Sequence, residues 1–235
     1  MRTPRLIESI AFLCLGVSLF FPRVSLSQPT SRSISLYGTV IEGSRIYLYP
    51  QSSDATIRNS TFDFSAASSV SLAYRLQLSS STLLQCRGEY FSVSDHQTDA
   101  VGTPTRHGFD SFALETSLLF QLPFGGEIIR MCIGGGGGVY AAVREYSIAT
   151  VQAESQRLIP TLDIHILLSL EWFLYRNLSL QGEVLFRDPQ ISVENAFPQD
   201  RVLNNGIEYP LQQVPFRSAV NLNGNVYLLG LCLYF

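Results

Sequence analysis

Four polar side chains that could do chemistry together lie close to one another in segment 162–175. They are Asp163, His165, Ser169 and Glu171. A serine, a histidine and an acid can form a nucleophilic triad, but serine and histidine must then lie within hydrogen-bonding distance. An extended strand rises about 3.3 Å per residue, so His165 and Ser169 would be about 13 Å apart. A triad within this segment is therefore excluded, and any such site would need partners from neighbouring strands.

A second polar group lies between residues 95 and 110 and could bind a metal ion. Its members are Asp95, His96, Asp99, His107 and Asp110. Their spacing matches no recognised set of ligands, so a solvated polar loop is the favoured interpretation. The cysteines beyond residue 27 are isolated in the sequence, which indicates neither a disulfide framework nor a zinc site: Cys86, Cys132 and Cys232. We expect no metal and no cofactor.

Five consecutive glycines interrupt the apolar segment around residue 136: Gly134, Gly135, Gly136, Gly137 and Gly138. A phosphate-binding loop would end in Lys-Ser or Lys-Thr, and the chain contains no lysine. A flexible linker would not preserve the alternation that continues on both sides of the run. Glycine inside a strand usually marks a bend or a close approach. We therefore place the run within a strand, with Gly135 and Gly137 facing outward.

The three remaining glycines should face inward and make room for charged side chains. Counting residues from the adjacent turns puts them beside Glu115, His165, Leu167 and Ser169.

The elements that would position these residues are strands, because apolar and polar side chains alternate with a period of two. About eight strands are predicted, at 34–49, 69–79, 82–94, 110–122, 127–146, 160–175, 178–188 and 215–235. Short turns near residues 80, 124 and 176 alternate with long polar loops at 50–68, 95–109, 147–159 and 189–214. This order is typical of an eight-stranded up-and-down antiparallel transmembrane β-barrel, an all-β fold.

Two soluble folds also show alternating strands. A β-sandwich has less regular connections, and a lipocalin-type barrel turns its apolar side chains inward. Charged residues are 15% of the chain, which is low for a soluble protein. Together with the leucine-rich face and the alternation of short and long connections, this favours the membrane barrel.

The N-terminal residues predict a secretory signal peptide, residues 1–27. Arg2 and Arg5 precede an apolar stretch at 10–21, and Ser25-Leu26-Ser27 is a cleavage pattern. The barrel domain would then be residues 28–235. It would carry 13 arginines and 18 acidic residues, a net charge of −5. With no lysine and a negative charge, a nucleic-acid partner is not expected.

The chain resembles the small outer-membrane β-barrel proteins of the OmpA-barrel, OmpX and OmpW type. The signal sequence, the alternating strands and the C-terminal residues carry the resemblance, the last being Tyr227, Leu229, Leu231, Leu233 and Phe235. The resemblance covers the whole chain after residue 27 and implies a location in the outer membrane of a Gram-negative cell. It also implies that the C-terminal strand is the signal read by the outer-membrane assembly machinery.

The inward face of the predicted barrel carries charges of both signs. They are Arg75, Arg87, Glu89, Glu115, Arg130, Arg144, Asp163, His165, Glu171, Glu183 and Arg187. The interior of an eight-stranded barrel is only just wide enough for its own side chains, and buried charges must be paired. A closed lumen filled by paired charges is therefore favoured over a narrow polar conduit.

The long loops are acidic, with ten acidic residues against four arginines in and beside them. Aromatic residues near these loops are expected in the belt at the outer interface, among them Phe62, Phe109, Tyr146 and Phe216. The favoured function is a non-enzymatic envelope protein that contacts outer-membrane lipids and serves structure or surface interaction. The alternatives are a channel or carrier for small or hydrophobic solutes and, least favoured, a lipid-modifying enzyme. The surface ligand and the oligomeric state are not readable from the sequence.

Overall fold

A computed structural model of the chain describes residues 32–64, 66–98, 102–124, 128–204, 206–222 and 224–235. The predicted signal peptide lies outside the described residues. Within them are a one-turn helix, Ala55–Arg58, and sixteen strands. In chain order the strands are β1 (Arg32–Ile41), β2 (Arg45–Tyr47), β3 (Thr61–Asp63), β4 (Ala67–Gln77), β5 (Thr82–Thr98), β6 (Pro104–Gln121), β7 (Ile129–Ile148), β8 (Val151–Gln152), β9 (Glu154–Leu158), β10 (Thr161–Tyr175), β11 (Leu178–Arg187), β12 (Gln190–Ala196), β13 (Arg201–Asn204), β14 (Ile207–Pro210), β15 (Phe216–Asn221) and β16 (Gly224–Tyr234).

Eight antiparallel strands close into a barrel. Their order is β10-β11-β16-β1-β4-β5-β6-β7, and β7 pairs again with β10. The first and last strands are neighbours, and the backbone N–H of Phe235 donates to the carbonyl of Arg32 at 3.0 Å. The predicted eight-stranded antiparallel barrel is confirmed. Both ends of the barrel sequence lie at the rim that carries the short turns.

The outer surface of the barrel is an apolar band, because every second residue of each strand points away from the lumen. In β10 the alternation follows the sequence: Leu162 and Ile164 are 80% and 81% exposed, whereas Leu167 is fully buried. The same band contains Ile34, Leu36, Val70, Leu72, Leu118, Phe120, Ile133, Ile166, Leu168, Leu170, Trp172, Tyr227, Leu229, Leu231 and Leu233. Exposed leucines and isoleucines on this scale are stable only against lipid.

Three of the four segments expected to be long polar loops, 95–109, 147–159 and 189–214, are largely strands, and this part of the sequence interpretation was wrong. Strands β5, β6 and β7 continue past the apolar band, so the predicted loop at 95–109 is mostly a hairpin. A second, five-stranded sheet has the order β3-β2-β15-β12-β9, and β13 pairs with β14 alone. We use the name cap for the five-stranded sheet, the β13–β14 pair, β8, and the parts of β5, β6 and β7 that continue past the apolar band.

Two of the predicted barrel strands, 34–49 and 215–235, are each broken where the chain passes from the barrel into the cap. Gly43 and Gly224 have φ values of +84° and +148°, which residues with a side chain rarely adopt. A Cβ on Gly224 would lie 1.8 Å from the carbonyl oxygen of Glu42. In the sequence both breaks coincide with short polar runs, at 42–45 and 223–225, that the strand prediction passed over.

The interior changes character between barrel and cap. The barrel interior is mostly polar and charged, whereas Ile46, Phe91, Phe109, Ile191 and Val220 are at most 2% exposed in an apolar core in and beside the cap. Aromatic residues assigned to the outer belt pack here instead: Phe62 and Phe109 are buried, and Tyr146 and Phe216 are half-buried. Phe109 and Tyr146 lie where β6 and β7 continue past the apolar band, and Phe62 and Phe216 lie on the cap strands β3 and β15.

Candidate functional site

Four arginines and four glutamates form the charged group inside the barrel. They come from six strands and are Arg75 on β4, Arg87 and Glu89 on β5, Glu115 on β6, Arg130 on β7, Glu171 on β10, and Glu183 and Arg187 on β11. All except Arg130 are at most 5% exposed. The period of two places them inward, and the antiparallel register brings neighbouring members to compatible heights.

These eight side chains form one unbroken series in which the signs of charge alternate. Glu183 accepts from both Arg75 and Arg87, the latter at 2.8 Å. Glu115 accepts from both Arg87 and Arg187, the latter at 2.7 Å. The full order is Arg130, Glu171, Arg75, Glu183, Arg87, Glu115, Arg187 and Glu89, with end pairs of 3.6 Å (Arg130–Glu171) and 2.7 Å (Arg187–Glu89). We call this series the lumen network.

Hydroxyl and amide groups satisfy much of the remaining hydrogen bonding. Tyr37 donates to Glu183 at 2.8 Å, Tyr140 to Glu115 at 2.7 Å and Ser69 to Glu89 at 2.6 Å. The Nε of Arg75 donates to Gln85 at 2.5 Å, and Glu171 accepts from Tyr234 and Ser179. Sequence reasoning named only the charged residues. The inward parity of these neutral residues was the signal that could have found them.

Three of the predicted inward residues lie apart from the lumen network. His165 is buried, and its Nε2 is hydrogen-bonded to Ser117 Oγ at 2.7 Å. Asp163 lies at the outer end of β10, where its carboxylate accepts the backbone N–H of Asp188 at 2.9 Å. The third residue is Arg144, which is described next. Ser169, which was considered with His165 as part of a triad, accepts a hydrogen bond from Arg75 at 3.1 Å and does not contact His165.

Arg144 was predicted to join the charges of the lumen, and this was wrong. It has the inward parity of β7, but it lies six residues beyond Gly138, which is about 20 Å along a strand. That distance carries it past the level of Glu115, the cross-strand partner of Gly138, and into the cap core. The alternation of side chains determines the face of β7 on which Arg144 lies, but it does not determine the position of Arg144 along the barrel axis.

In the cap, Arg144 is 4% exposed and lies among aromatic rings. Its guanidinium carbon is 4.5 Å from the ring centroid of Tyr146 and 5.9 Å from that of Phe216. Nη1 donates to Ser218 Oγ at 2.9 Å, and Nη2 donates to His107 Nδ1 at 3.4 Å. The ring of His107 is itself stacked between Phe62, at 4.4 Å, and Tyr146, at 4.8 Å.

Burial alters the acidities of both groups. The pKa of Arg144 is lowered to about 10, because desolvation disfavours the guanidinium cation. The pKa of His107 is lowered to about 4, first by burial and then by the adjacent positive charge of Arg144. His107 is therefore neutral near pH 7, in agreement with its acceptance of a hydrogen bond from Arg144.

The five glycines lie in the middle of β7, between β6 and β10. A Cβ on Gly134 or Gly136 would lie 2.0 Å from Leu118 O or 1.8 Å from Thr116 O. A Cβ on Gly138 would lie 2.9 Å from both Glu115 Cγ and the Tyr140 hydroxyl. The run therefore allows two neighbouring backbones to approach closely at Gly134 and Gly136, and it makes room for the lumen network only at Gly138.

The predicted neighbours of the glycines are largely those of the structure. Gly138 is opposite Glu115, and Gly136 and Gly134 are opposite His165 and Leu167. Ser169 was wrongly placed beside the run, since it pairs with Cys132.

Among the described residues the possible metal cluster near residue 107 is not assembled, and its member Asp99 lies outside them. Asp95 pairs across the hairpin with His107, and His96 pairs with Arg106, but His107 lies in the cap core. In the described ranges, no three or more histidine, cysteine and acidic side chains are grouped as metal ligands.

The fold and the apolar outer band together define the class of protein. A closed antiparallel barrel with a polar interior, lipid-facing side chains and short turns at one rim is the arrangement of bacterial outer-membrane barrels. The chain is an eight-stranded β-barrel of the outer membrane. No helix within the described ranges is long and apolar enough to cross a membrane.

Several solved structures are similar to this chain over most of its length. Neisserial surface protein A matches with a TM-score of 0.48 and 8% identity, over 88% of this chain and 100% of that one. The Ail protein of Yersinia pestis, in complex with the heparin analogue sucrose octasulfate, matches with 0.47 and 12%, over 88% and 100%. The Escherichia coli outer membrane protease OmpT matches with 0.45 and 8%, over 90% and 99%. Likeness this distant says nothing about ligand or activity.

No protein-family model matches the sequence. No curated protein is significantly similar to it in sequence.

Proposed function

We propose that this protein is a closed, non-enzymatic barrel of the outer membrane that serves envelope structure and surface interaction through its cap. The observation that carries the proposal is the lumen network, in which four positive and four negative side chains alternate without a break. An eight-stranded barrel has little interior beyond the volume of its own side chains. Balanced ion pairs fill that interior and leave no net charge to attract a permeant ion.

Planar-bilayer recording of the purified protein tests the closed lumen. The expected result is a baseline without single-channel steps, under conditions in which a large-pore barrel inserted in the same bilayer conducts. Reproducible steps from the wild-type protein would instead support the narrow conduit.

The absence of an enzymatic role is a separate part of the proposal. The inward hydroxyls that could act as nucleophiles are buried, including Ser33, whose Oγ has no described hydrogen-bond partner. The others nearest the charged groups are hydrogen-bonded: Ser169 to Arg75, Ser117 to His165 and Ser179 to Glu171. A lipid or peptide substrate has no route to groups that are at most 2% exposed. Mass spectra of envelope lipids should be unchanged on overexpression, and a new or depleted lipid species would contradict this part.

The surface role is supported by the construction of the cap. A solvated loop would need no core, whereas the cap contains two sheets with an apolar interior and surface ion pairs such as Arg45–Asp63 and Arg106–Glu145. Ordered structure on this scale can present a defined surface to a ligand or partner. Protease removal of the cap from intact cells should then abolish surface binding while the barrel stays in the membrane.

We also propose that the assembly machinery recognises strand β16. The outward residues Tyr227, Leu229, Leu231 and Leu233 are 43% to 62% exposed, and Phe235 is 66% exposed. Phe235→Ser should lower the assembled fraction in cells without altering refolding of the purified chain in detergent. An equal loss in both settings would point to a structural role for Phe235.

A further inference from the structure

Arg144 differs from every other buried arginine in the described part of the chain. Arg75, Arg87 and Arg187 each contact two glutamates, whereas no described carboxylate lies within ion-pairing distance of Arg144. Its Nε has no hydrogen-bond partner among the described residues. A cation removed from water is normally paired, because an unpaired buried charge is costly. The buried arginines of the barrel are all paired with glutamates, whereas Arg144 in the cap has no described anionic partner.

The surroundings of Arg144 are rings that can hold a planar apolar group. Phe62, His107 and Tyr146 stack in succession, and Phe197 lies 5.4 Å from Tyr146 and 5.9 Å from Phe216. The faces of Tyr146 and Phe216 compensate part of the desolvation of Arg144 through cation–π contact. They supply no anion, and Nε remains a free donor.

The β13–β14 hairpin packs against two of these rings. Val202, Tyr209 and Leu211 pack in the same cluster as Tyr146 and Phe216. The hairpin is a separate two-stranded sheet, and the backbone bonds at its base, from Leu211 to Asp200 and from Phe197 to Gln212, join its two arms to each other and not to either larger sheet. Elements held by few backbone bonds open at low free-energy cost. The hairpin can therefore move without disturbing either larger sheet.

We propose that Arg144 and the rings of Tyr146 and Phe216 form a binding site for a small aromatic carboxylate, with the β13–β14 hairpin as its lid. The carboxylate accepts from the guanidinium of Arg144, which supplies the missing counter-charge. The ring of the ligand takes the place of Tyr209 and Leu211 against Tyr146 and Phe216. This site gives a ligand class to the surface role proposed above and rests on that role.

Calorimetric titration of the full protein in lipid nanodiscs, with benzoate as the probe, tests the site. Benzamide is the neutral match of benzoate, so the comparison isolates the charge without any substitution. Wild-type protein should bind benzoate about tenfold or more tightly than benzamide, since a charged hydrogen bond is lost with the amide. No saturable benzoate binding, or equal affinity for the two compounds, would overturn the proposal.

Two substitutions sharpen the result. Arg144→Met retains length without charge and should weaken benzoate binding about tenfold or more. Arg58→Met removes an exposed cation from the one-turn helix, outside the hairpin, and should leave the affinity unchanged. Equal loss in both variants would overturn the site. If Arg144→Met does not fold, the wild-type comparison of benzoate with benzamide decides alone.

Single-channel recording on the same preparation separates this inference from the proposed function. A conducting barrel that still prefers benzoate would contradict only the closed lumen. A closed barrel with no preference for benzoate would contradict only the site at Arg144.

Discussion

At the scale of the residue, the lumen network derives its strength from shared carboxylates. Glu183 and Glu115 each bridge two arginines, so the removal of one cation leaves buried anions incompletely paired. Removal of one partner from a buried pair is strongly destabilising, although the intact pair can contribute little net stability. The network is therefore best understood as a filling that is stable only when complete.

Arg87→Met tests this dependence, because Arg87 contacts both bridging glutamates. We expect a loss of about 3–5 kcal/mol in the free energy of unfolding, measured by denaturant titration in detergent. Arg201→Met is the matched control, since the side chain of Arg201 is 61% exposed and its ion pairs are solvated. Equal small effects in the two variants would contradict the network as a unit.

A second residue-scale prediction concerns the glycine run, where adjacent positions meet different surroundings. A Cβ at Gly136 would lie 1.8 Å from a backbone oxygen, whereas one at Gly137 would lie 3.5 Å from Asp163 O, an ordinary contact. Gly136→Ala should destabilise the barrel by about 1–3 kcal/mol through overpacking. Gly137→Ala should refold as the wild type does. The fraction refolded, read from the heat-dependent shift in gel mobility, distinguishes the two, and equal behaviour would refute the close-approach explanation.

At the scale of the element, the strands of the barrel were predictable and the cap was not. The alternation in β10 and β16 assigns their faces without any structure, because a period of two is a local property of an extended chain. In β12 the same alternation of Ile191 and Val193 was read as loop, because the segment is short and rich in polar residues. Which strands pair in a second sheet depends on contacts far apart in sequence, and the sequence pattern does not contain them.

His107 gives the cap a dependence on pH that follows from its lowered pKa. The folded pKa is about 4, and the ordinary value is 6.5. Between these values the unfolded chain binds a proton that the folded chain does not. The free energy of unfolding therefore falls as the pH is lowered, by on the order of 1 kcal/mol per pH unit. Burial and Arg144 oppose protonation, and Asp95 only partly offsets them.

His107→Phe removes this proton site and keeps a ring between Phe62 and Tyr146. We expect the stability advantage of the wild type over the variant to shrink between pH 7 and about pH 5, as measured by denaturant titration at each pH. A difference between wild type and variant that is independent of pH would contradict the assignment.

At the scale of the whole molecule, the structure combines a barrel whose interior is sealed by charge with a cap whose interior is apolar. Composition and period predicted the membrane barrel and the charges on its inward face, and the resemblance to small outer-membrane barrels implied its location. They did not predict that Arg144 lies in the cap. The alternation of side chains shows which face of a strand a residue is on, whereas its position along the barrel axis depends on the register of all the strands. Composition and period also could not show that three of the four glutamates are each shared by two arginines, since each such contact involves three strands at once.

The central claim is that side chains fill the lumen and exclude water. The native cysteines can test this claim, because their reaction with a thiol reagent depends on access to water. Cys132 and Cys232 are at most 2% exposed on inward positions, whereas Cys86 lies at an outward position and is half-buried. The most direct measurement is labelling of the bilayer-embedded protein with a small charged thiol reagent, read at each cysteine by peptide mass spectrometry. A closed lumen predicts that Cys132 and Cys232 stay unmodified until the barrel is unfolded, when both react. Rapid modification of either cysteine in the folded barrel would show a water-filled path and contradict the account.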